Sequence, residues 1–408
     1  MGTSFTSVVR SDLTTEEIKL RQGAREFSEA VVRPYSKDWD TSTDFPWELA
    51  KKFAEAGYLS LYVPEEHGGQ GGSFFDMCLV MEEVARVDPN LCVLPQEMMN
   101  WGPFMLGEIG SDYHKQKYYP RIMAGEALFV QGLTESHAGS SLTDLVTRAV
   151  IDGDGVVING EKWMVSFAPY STDIIVFCRF GDCVGPYGIG AVIIPTDSDG
   201  VTIHDLHTMM RRVGPTEGHC EFHDVRVPPE YILIEGNPAT KDAFRTLMSL
   251  YDSQRAGACA RAVGCAQGAF EEALAWSKER VQFGRRICDF QGTQWKLAKM
   301  ATKLETARTM YYKAARDIDR NAPEANMSTS VAKAFCNEAA WDVVNEAFQI
   351  LGSRGYIQGM FTTEARIRHA RHFTVAGGTH EMLLNTIAAE VLEEPISQRP
   401  LRAEPVPS

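Results

Sequence analysis

The middle of this chain is a series of short β-forming runs bounded by turn residues: Gly155–Gly160, Asp173–Cys178, Ala191–Pro195, Val201–Ile203 and His219–Val227. Runs rich in Val and Ile at this spacing form strands that must bury a face, and several in succession make a compact barrel or sandwich. On both sides the pattern turns helical. Thr14 and Glu17 form a candidate capping box, Ile18, Ala24, Phe27 and Val31 follow on one helix face, and Pro34 is expected to break the pattern. Helix resumes from Met77 to Val87, after a Gly-rich turn at 65–72. Leu297, Met300, Ala301, Leu304, Ala307, Tyr311, Ala314 and Ile318 later step by three and four, the stripe of a helix packed in a bundle. The expected organisation is α+β: a helical N-domain at 1–127, a central β-domain at 128–238, a C-terminal helical bundle at 239–394 and a flexible tail at 395–408.

Charge and cysteine usage narrow the function. A formal charge of −14 over 408 residues argues against nucleic acid or an anionic membrane surface, which need a basic stripe. It leaves room for a small anionic ligand, because local Arg residues and helix N-termini decide that contact. The nine Cys contain no CxxC pair and no His spacing suited to zinc, so they read as reduced thiols in a cytosol-like, cytoplasmic setting, with no metal. No apolar run approaches the roughly 20 residues of a membrane span. Met1–Thr6 matches the N-myristoylation pattern, a pattern short enough to arise by chance.

Four segments carry a family likeness. Leu133-Thr-Glu-Ser-His-Ala-Gly-Ser140, Asn159-Gly-Glu-Lys-Trp-Met-Val-Ser166, Glu279-Arg-Val-Gln-Phe-Gly284 and Gln349-Ile-Leu-Gly-Ser-Arg-Gly-Tyr356 resemble, in order and spacing, the motifs of the acyl-CoA dehydrogenases. The similarity runs from about residue 12 to 393 and includes Arg366 to Thr379. It implies a helical N-domain, a central β-barrel domain, a C-terminal four-helix bundle, bound FAD, an acyl-CoA substrate, a homotetramer and an electron-transfer flavoprotein as redox partner. By that resemblance, Thr134 and Ser166 bond the isoalloxazine, and Met164 stands where an aromatic usually covers the flavin, with Trp163 turned inward as the alternative. Arg280 pairs with the pyrophosphate, a bidentate contact suited to guanidinium. Phe283, Gln291, Gln349, Gly352, Thr379 and Glu381 match or adjoin further FAD positions, some reached from a neighbouring subunit, and Ser140, Asp252 and Arg255 match CoA-contacting ones. Gly352-Ser353 stands for a Gly-Gly pair, and Arg368-His369-Ala370 for Arg-Asp-Ala.

One departure bears on the chemistry. The family's turn usually reads Tyr-Glu-Gly-Thr, with the Glu removing the α-proton of the thioester; here it reads Ala376-Gly377-Gly378-Thr379. Some members carry the base in a Glu-Arg pair on an earlier helix, and that pair is Gln254-Arg255. Both seats lack a carboxylate. Gly377 still offers a backbone N–H to polarise a thioester carbonyl, but not the general base, an effect of roughly 10² to 10⁴ in rate.

Three explanations stand. The base has moved, with Glu97, which by the resemblance matches a position at the far end of the fatty-acyl pocket of straight-chain members, the first candidate and Glu381 and His137 weaker ones. Alternatively the reaction needs no proton abstraction, as in the similar glutamate-less 3-sulfinopropionyl-CoA desulfinase branch, which also has Gln at the 254 position. An Arg proposed to hold the sulfinate there corresponds to Val93 here. The third is an engineered Glu→Gln at 254. Ala376-Gly377 also removes bulk beside the reacting carbon, favouring a branched, cyclic, aromatic or carboxylated acyl group unless Met98, Met99 and Trp101 refill the space. The sequence reading is thus an FAD-dependent oxidoreductase acting at Cα–Cβ, with a redox-neutral desulfinase- or decarboxylase-like elimination and a non-catalytic FAD subunit of a hetero-oligomer as alternatives.

Overall fold

The computed structural model describes residues 12–39, 44–206 and 217–396. The Met1–Thr6 pattern and most of the expected tail lie outside these.

Helices fill the first part: α1 (Thr15–Phe27), α2 (Arg33–Trp39), α3 (Trp47–Glu55), α4 (Phe74–Val87), the single turn α5 (Val93–Pro95), α6 (Gly102–Ile109) and α7 (Asp112–Met123). Their starts are set locally. The Thr14 hydroxyl accepts from the Glu17 N–H while the Glu17 carboxylate accepts from the Thr14 N–H, and Ser73 and Asp76 repeat this box at α4. Pro34 does not end the helix, contrary to the sequence expectation. The helical run is continuous from α1 through a π-turn over Ser28–Val32 into α2, so Pro34 stands inside it, directly after the wider turn.

Eight strands follow: β1 (Phe129–Gly132), β2 (Arg148–Asp152), β3 (Gly155–Ser166), β4 (Asp173–Phe180), β5 (Ile189–Pro195), β6 (Val201–Leu206), β7 (Glu217–Val227) and β8 (Ile232–Ile234). They make one sheet in the order β6-β7-β3-β2-β4-β5-β8, with β1 parallel to β4. The short strands expected from the sequence thus come together, among the described residues, as one eight-stranded sheet. Every residue of β4 is buried, whereas β2 and β6 are largely exposed.

The last part holds α8 (Asp242–Glu279), a β9–β10 hairpin (Val281–Gln282, Arg285–Arg286), α9 (Gln291–Asp319), α10 (Ala325–Leu351), α11 (Thr363–Phe373) and α12 (His380–Val391). The long helices α8, α9 and α10 pack side by side, and α4 closes against α8. Glycines set that last approach: a Cβ at Gly264 would meet the Glu82 carbonyl at 2.3 Å, and one at Gly268 the Arg86 carbonyl at 2.3 Å. Charge ties the same helices together. Buried Glu82 accepts from Arg21 at 3.1 Å and Arg308 at 2.9 Å and from the Tyr311 hydroxyl. Burial pushes this carboxyl up, but the two guanidiniums outweigh it and hold it at about 2. All nine cysteines are free thiols, and no described helix is long and apolar enough to cross a membrane.

Candidate active site

A second π-turn, Gln96–Trp101, runs between α5 and α6 with all six residues buried. It lies against both α8 and β1, so its side chains face the seam between bundle and sheet. Gln96 and Glu97 meet Gln254 of α8 there. Gln96 Nε2 donates to Gln254 Oε1, and the Gln254 amide lies near enough to the Glu97 carboxyl to favour its charged form. Glu97 is 5% exposed, its Oε2 has no partner, and burial pushes it up to about 8 although Arg261 pulls the other way. The first relocated-base candidate and the emptied seat are thus neighbours.

Gly377 approaches from the other side. Its φ is +71°, and a Cβ there would meet Lys333 Cε at 3.3 Å and the Tyr251 hydroxyl at 3.9 Å. Lys333 Nζ donates to the carbonyls of Ala376 at 2.8 Å and Gly378 at 3.1 Å. This ammonium is fully buried, and burial lowers it to about 8. Lys333 and Tyr251 are the side chains nearest Gly377, and Trp101, fully buried, stands edge-on to Tyr251 at 5.6 Å, with Met98 and Met99 buried in the same turn.

The expected CoA contacts divide. Asp252 holds Arg255 at 3.0 Å and accepts twice from Asn326, while Arg255 Nη2 would lie 3.8 Å from a Cβ at Gly378. Ser140 stands exposed in the loop after β1. His137 is exposed beside the Asp144 carbonyl, and Glu381 is exposed, so neither weaker base candidate is sequestered as Glu97 is.

The expected FAD residues form two groups. Thr134, Met164 and Ser166 belong to the β1–β3 side, where the Thr134 carbonyl accepts from the Trp163 N–H. A bulge gives Met164 a φ of 56° and leaves it 44% exposed, while Trp163 packs on His219 at 4.8 Å. Met164, not Trp163, is the side chain left uncovered. Thr379 caps α12 by accepting from the Met382 N–H.

Arg280, Phe283, Gln291, Gln349 and Gly352 gather at the opposite end of the bundle. Arg280 closes α8, about 39 Å from Gln254 at 1.5 Å per residue. The two are not brought together within one chain. Arg280 makes no ion pair among the described residues, Phe283 is 96% exposed, and Gln291 and Gln349 are exposed. Gly352 adopts φ 63°, ψ −145°, a conformation reserved for glycine, and nothing lies within 4 Å of a Cβ built there. An unpaired guanidinium, an uncovered aromatic and an open glycine backbone fit a dinucleotide with a pyrophosphate and an adenine.

Sequence motifs missed Glu217. It opens β7 directly opposite Ser166, is 3% exposed, and leaves Oε2 without a partner. Burial pushes it up to about 8, and Glu97 is close enough to add to that rise. Lys333 was also missed; an apolar-flanked Lys in a helical stripe carries no signal before the Gly377 turn is seen packed on it. A surface cavity of about 320 Å³ between Lys117, Arg121, Asp173 and Asp197 contains none of these residues.

The acyl-CoA dehydrogenase N-terminal, middle and C-terminal domain models match residues 14–126, 131–225 and 243–392. The chain is 35% identical over 393 residues to 3-sulfinopropanoyl-CoA desulfinase of Paraburkholderia xenovorans, covering 95% of this chain and 99% of that protein. It is 33% identical to 3-(aryl)acrylate reductase of Clostridium sporogenes, covering 93% and 99%. The structure of butyryl-CoA dehydrogenase from Megasphaera elsdenii superposes with a TM-score of 0.87 at 28% identity, covering 93% and 99%. The cofactor is FAD. With all three domain models matched in order and the fold shared, the chain belongs to the acyl-CoA dehydrogenase family of oxidoreductases.

Proposed function

We propose that the protein exchanges the α-proton of a branched, cyclic, aromatic or carboxylated acyl-CoA with Glu97 while Cα–Cβ is oxidised or its enoyl form reduced. The nearness of buried Glu97 to Gln254 supports this reading, because it brings a carboxyl beside a seat the family uses for its base. Bound FAD supplies the two-electron chemistry at Cβ. The Gly377 N–H polarises the thioester carbonyl, Lys333 fixes that turn, and Arg255, oriented by Asp252, holds CoA. Held near 8, Glu97 is mostly protonated at neutral pH, so it donates to Cα in reduction and accepts from Cα once ionised.

The distance between Arg280 and Gln254 supports an oligomer in which the Arg280 group of one copy completes the FAD site of another; a homotetramer is the assembly we propose, with an electron-transfer flavoprotein as redox partner. The test is anaerobic flavin bleaching against a panel of CoA thioesters. Bleaching by a branched, cyclic, aromatic or dicarboxylic member agrees with the proposal, and bleaching by straight chains alone opposes it. A second reading, redox-neutral elimination, draws on the 35% identity to a desulfinase. Val93, buried and apolar, offers no charge to a sulfinate. Turnover of 3-sulfinopropanoyl-CoA without bleaching would favour this second reading.

A further inference from the structure

The π-turn Gln96–Trp101 buries more polar atoms than it satisfies. All six of its residues are buried, yet Gln96 Oε1, Glu97 Oε2, Asn100 Oδ1 and Trp101 Nε1 have no partner among the described residues. A buried polar atom left unpaired destabilises the fold, so four on one turn call for a group that meets them. Helix α8 orients the two amides. The Ser253 carbonyl can only accept, so Asn100 Nδ2 donates to it at 3.3 Å and Oδ1 is the branch left over. Gln96 Nε2 donates in the same way to Gln254 Oε1. A Cβ built on Gly257, one turn further along α8, would meet the same two nitrogens, Asn100 Nδ2 at 2.5 Å and Gln96 Nε2 at 3.4 Å. Both amides thus press their nitrogens onto α8 and turn their oxygens away from it. This polar wall stands beside both seats of the family's base. Gln254 is one of them; at the other, a Cβ on Gly377 would lie 3.9 Å from the Tyr251 hydroxyl, and the Tyr251 ring meets Trp101 edge-on at 5.6 Å.

The unpaired atoms define what fits against them. Two amide oxygens require a donor, the indole N–H requires an acceptor, and a protonated Glu97 carboxyl offers either. A hydroxyl supplies both functions, whereas a hydrocarbon supplies neither. A carboxylate only accepts, so it would face two amide oxygens with no cation bonded to the turn: Arg261 acts on Glu97, but its Nε donates to the Pro89 carbonyl at 2.7 Å. The rings of Trp101 and Tyr251 and the buried thioethers of Met98 and Met99 suit a flat aromatic group. We propose that this turn selects the acyl group, with Gln96 and Asn100 accepting from, and Trp101 donating to, a hydroxyl carried on an aromatic ring of the acyl-CoA. That preference narrows the acyl class proposed above and rests on a CoA thioester occupying this pocket, so the test separates thioester binding from hydroxyl selection.

The thioether probe is (hydroxyphenylthio)acetyl-CoA, in its ortho, meta and para forms, whose β-position is sulfur, so that no hydride can leave and binding alone is read. Dissociation constants are measured by calorimetry on the FAD-loaded protein and compared with those of the phenyl parent and of the carboxyphenyl forms. The tightest hydroxyl isomer should bind roughly 100-fold more tightly than the parent, and the carboxyl forms more weakly than the parent. Trp101→Phe, which keeps a ring and removes the N–H, and Asn100→Leu, which removes the oxygen, should each cut that preference about tenfold. Both should leave the parent's own affinity within a few-fold of wild type, which a misfolded pocket would not. No binding of any of these thioethers to the wild type overturns the thioester reading and this inference with it. Binding of the parent with no gain from a hydroxyl at any position means that water alone meets the free atoms, and overturns the hydroxyl preference by itself. Tightest binding by a carboxyl form does the same. A gain that survives undiminished in both variants overturns the assignment to this turn.

Discussion

Lys333 clamps the turn around Gly377 by donating to the carbonyl oxygens of the two neighbouring residues, at 2.8 and 3.1 Å. A buried ammonium needs partners, and it finds them in the backbone that presents the Gly377 N–H. Lys333→Met should therefore leave two carbonyls without a donor at a cost of about 1–3 kcal/mol. Thermal unfolding reads this loss, and the KM for the acyl-CoA should rise more than FAD affinity falls.

Gly377→Ala tests the turn itself. At φ +71° an L side chain is strained, and its Cβ meets Lys333 Cε at 3.3 Å. A loss of about 1–2 kcal/mol is expected. An unchanged Tm would show that the turn relaxes freely.

Gln254→Glu should impair the native reaction. The new carboxyl would replace the amide that lies near Glu97 and would place like groups near each other in a buried seam, raising both. A large gain in flavin reduction by substrate would instead show that Gln254 stands where a working Glu once stood.

Oxidation and reduction should respond oppositely to pH. With Glu97 held at about 8, α-proton removal rises with pH through that value and proton donation falls. Stability has its own sign. Glu97 and Glu217 are near 4.5 when unfolded and about 8 when folded, so the folded state holds protons that the unfolded state has lost. Their contribution is present below about 4.5 and declines as pH rises to about 8. Urea melts of wild type and Glu217→Gln should converge at acid pH and diverge near pH 8, with the variant the more stable there.

Arg280→Ala should lower FAD affinity by about 1.5–3 kcal/mol through loss of a charge-assisted pair. Arg255→Ala should weaken CoA-thioester binding more than FAD binding. Ultrafiltration of bound FAD and titration with the thioether probe separate the two, and equal losses in both would point to general disruption.

The sequence by itself determined the order of helices and strands, because capping boxes at Thr14 and Ser73, the Val- and Ile-rich runs and the stripe from Leu297 to Ile318 are local signals. It also marked the two emptied seats, Gly377 and Gln254, since a motif records which residue type is missing. It misread Pro34, because a π-turn that lets a proline follow inside a continuous helix leaves no trace in periodicity. Only the tertiary structure put Glu97 against Gln254, Lys333 beneath Gly377 and Glu217 opposite Ser166. These partners come from elements far apart in the chain, and the proton affinity of a carboxyl depends on how deeply it is buried and what charge it faces, neither of which is a property of its neighbours in sequence.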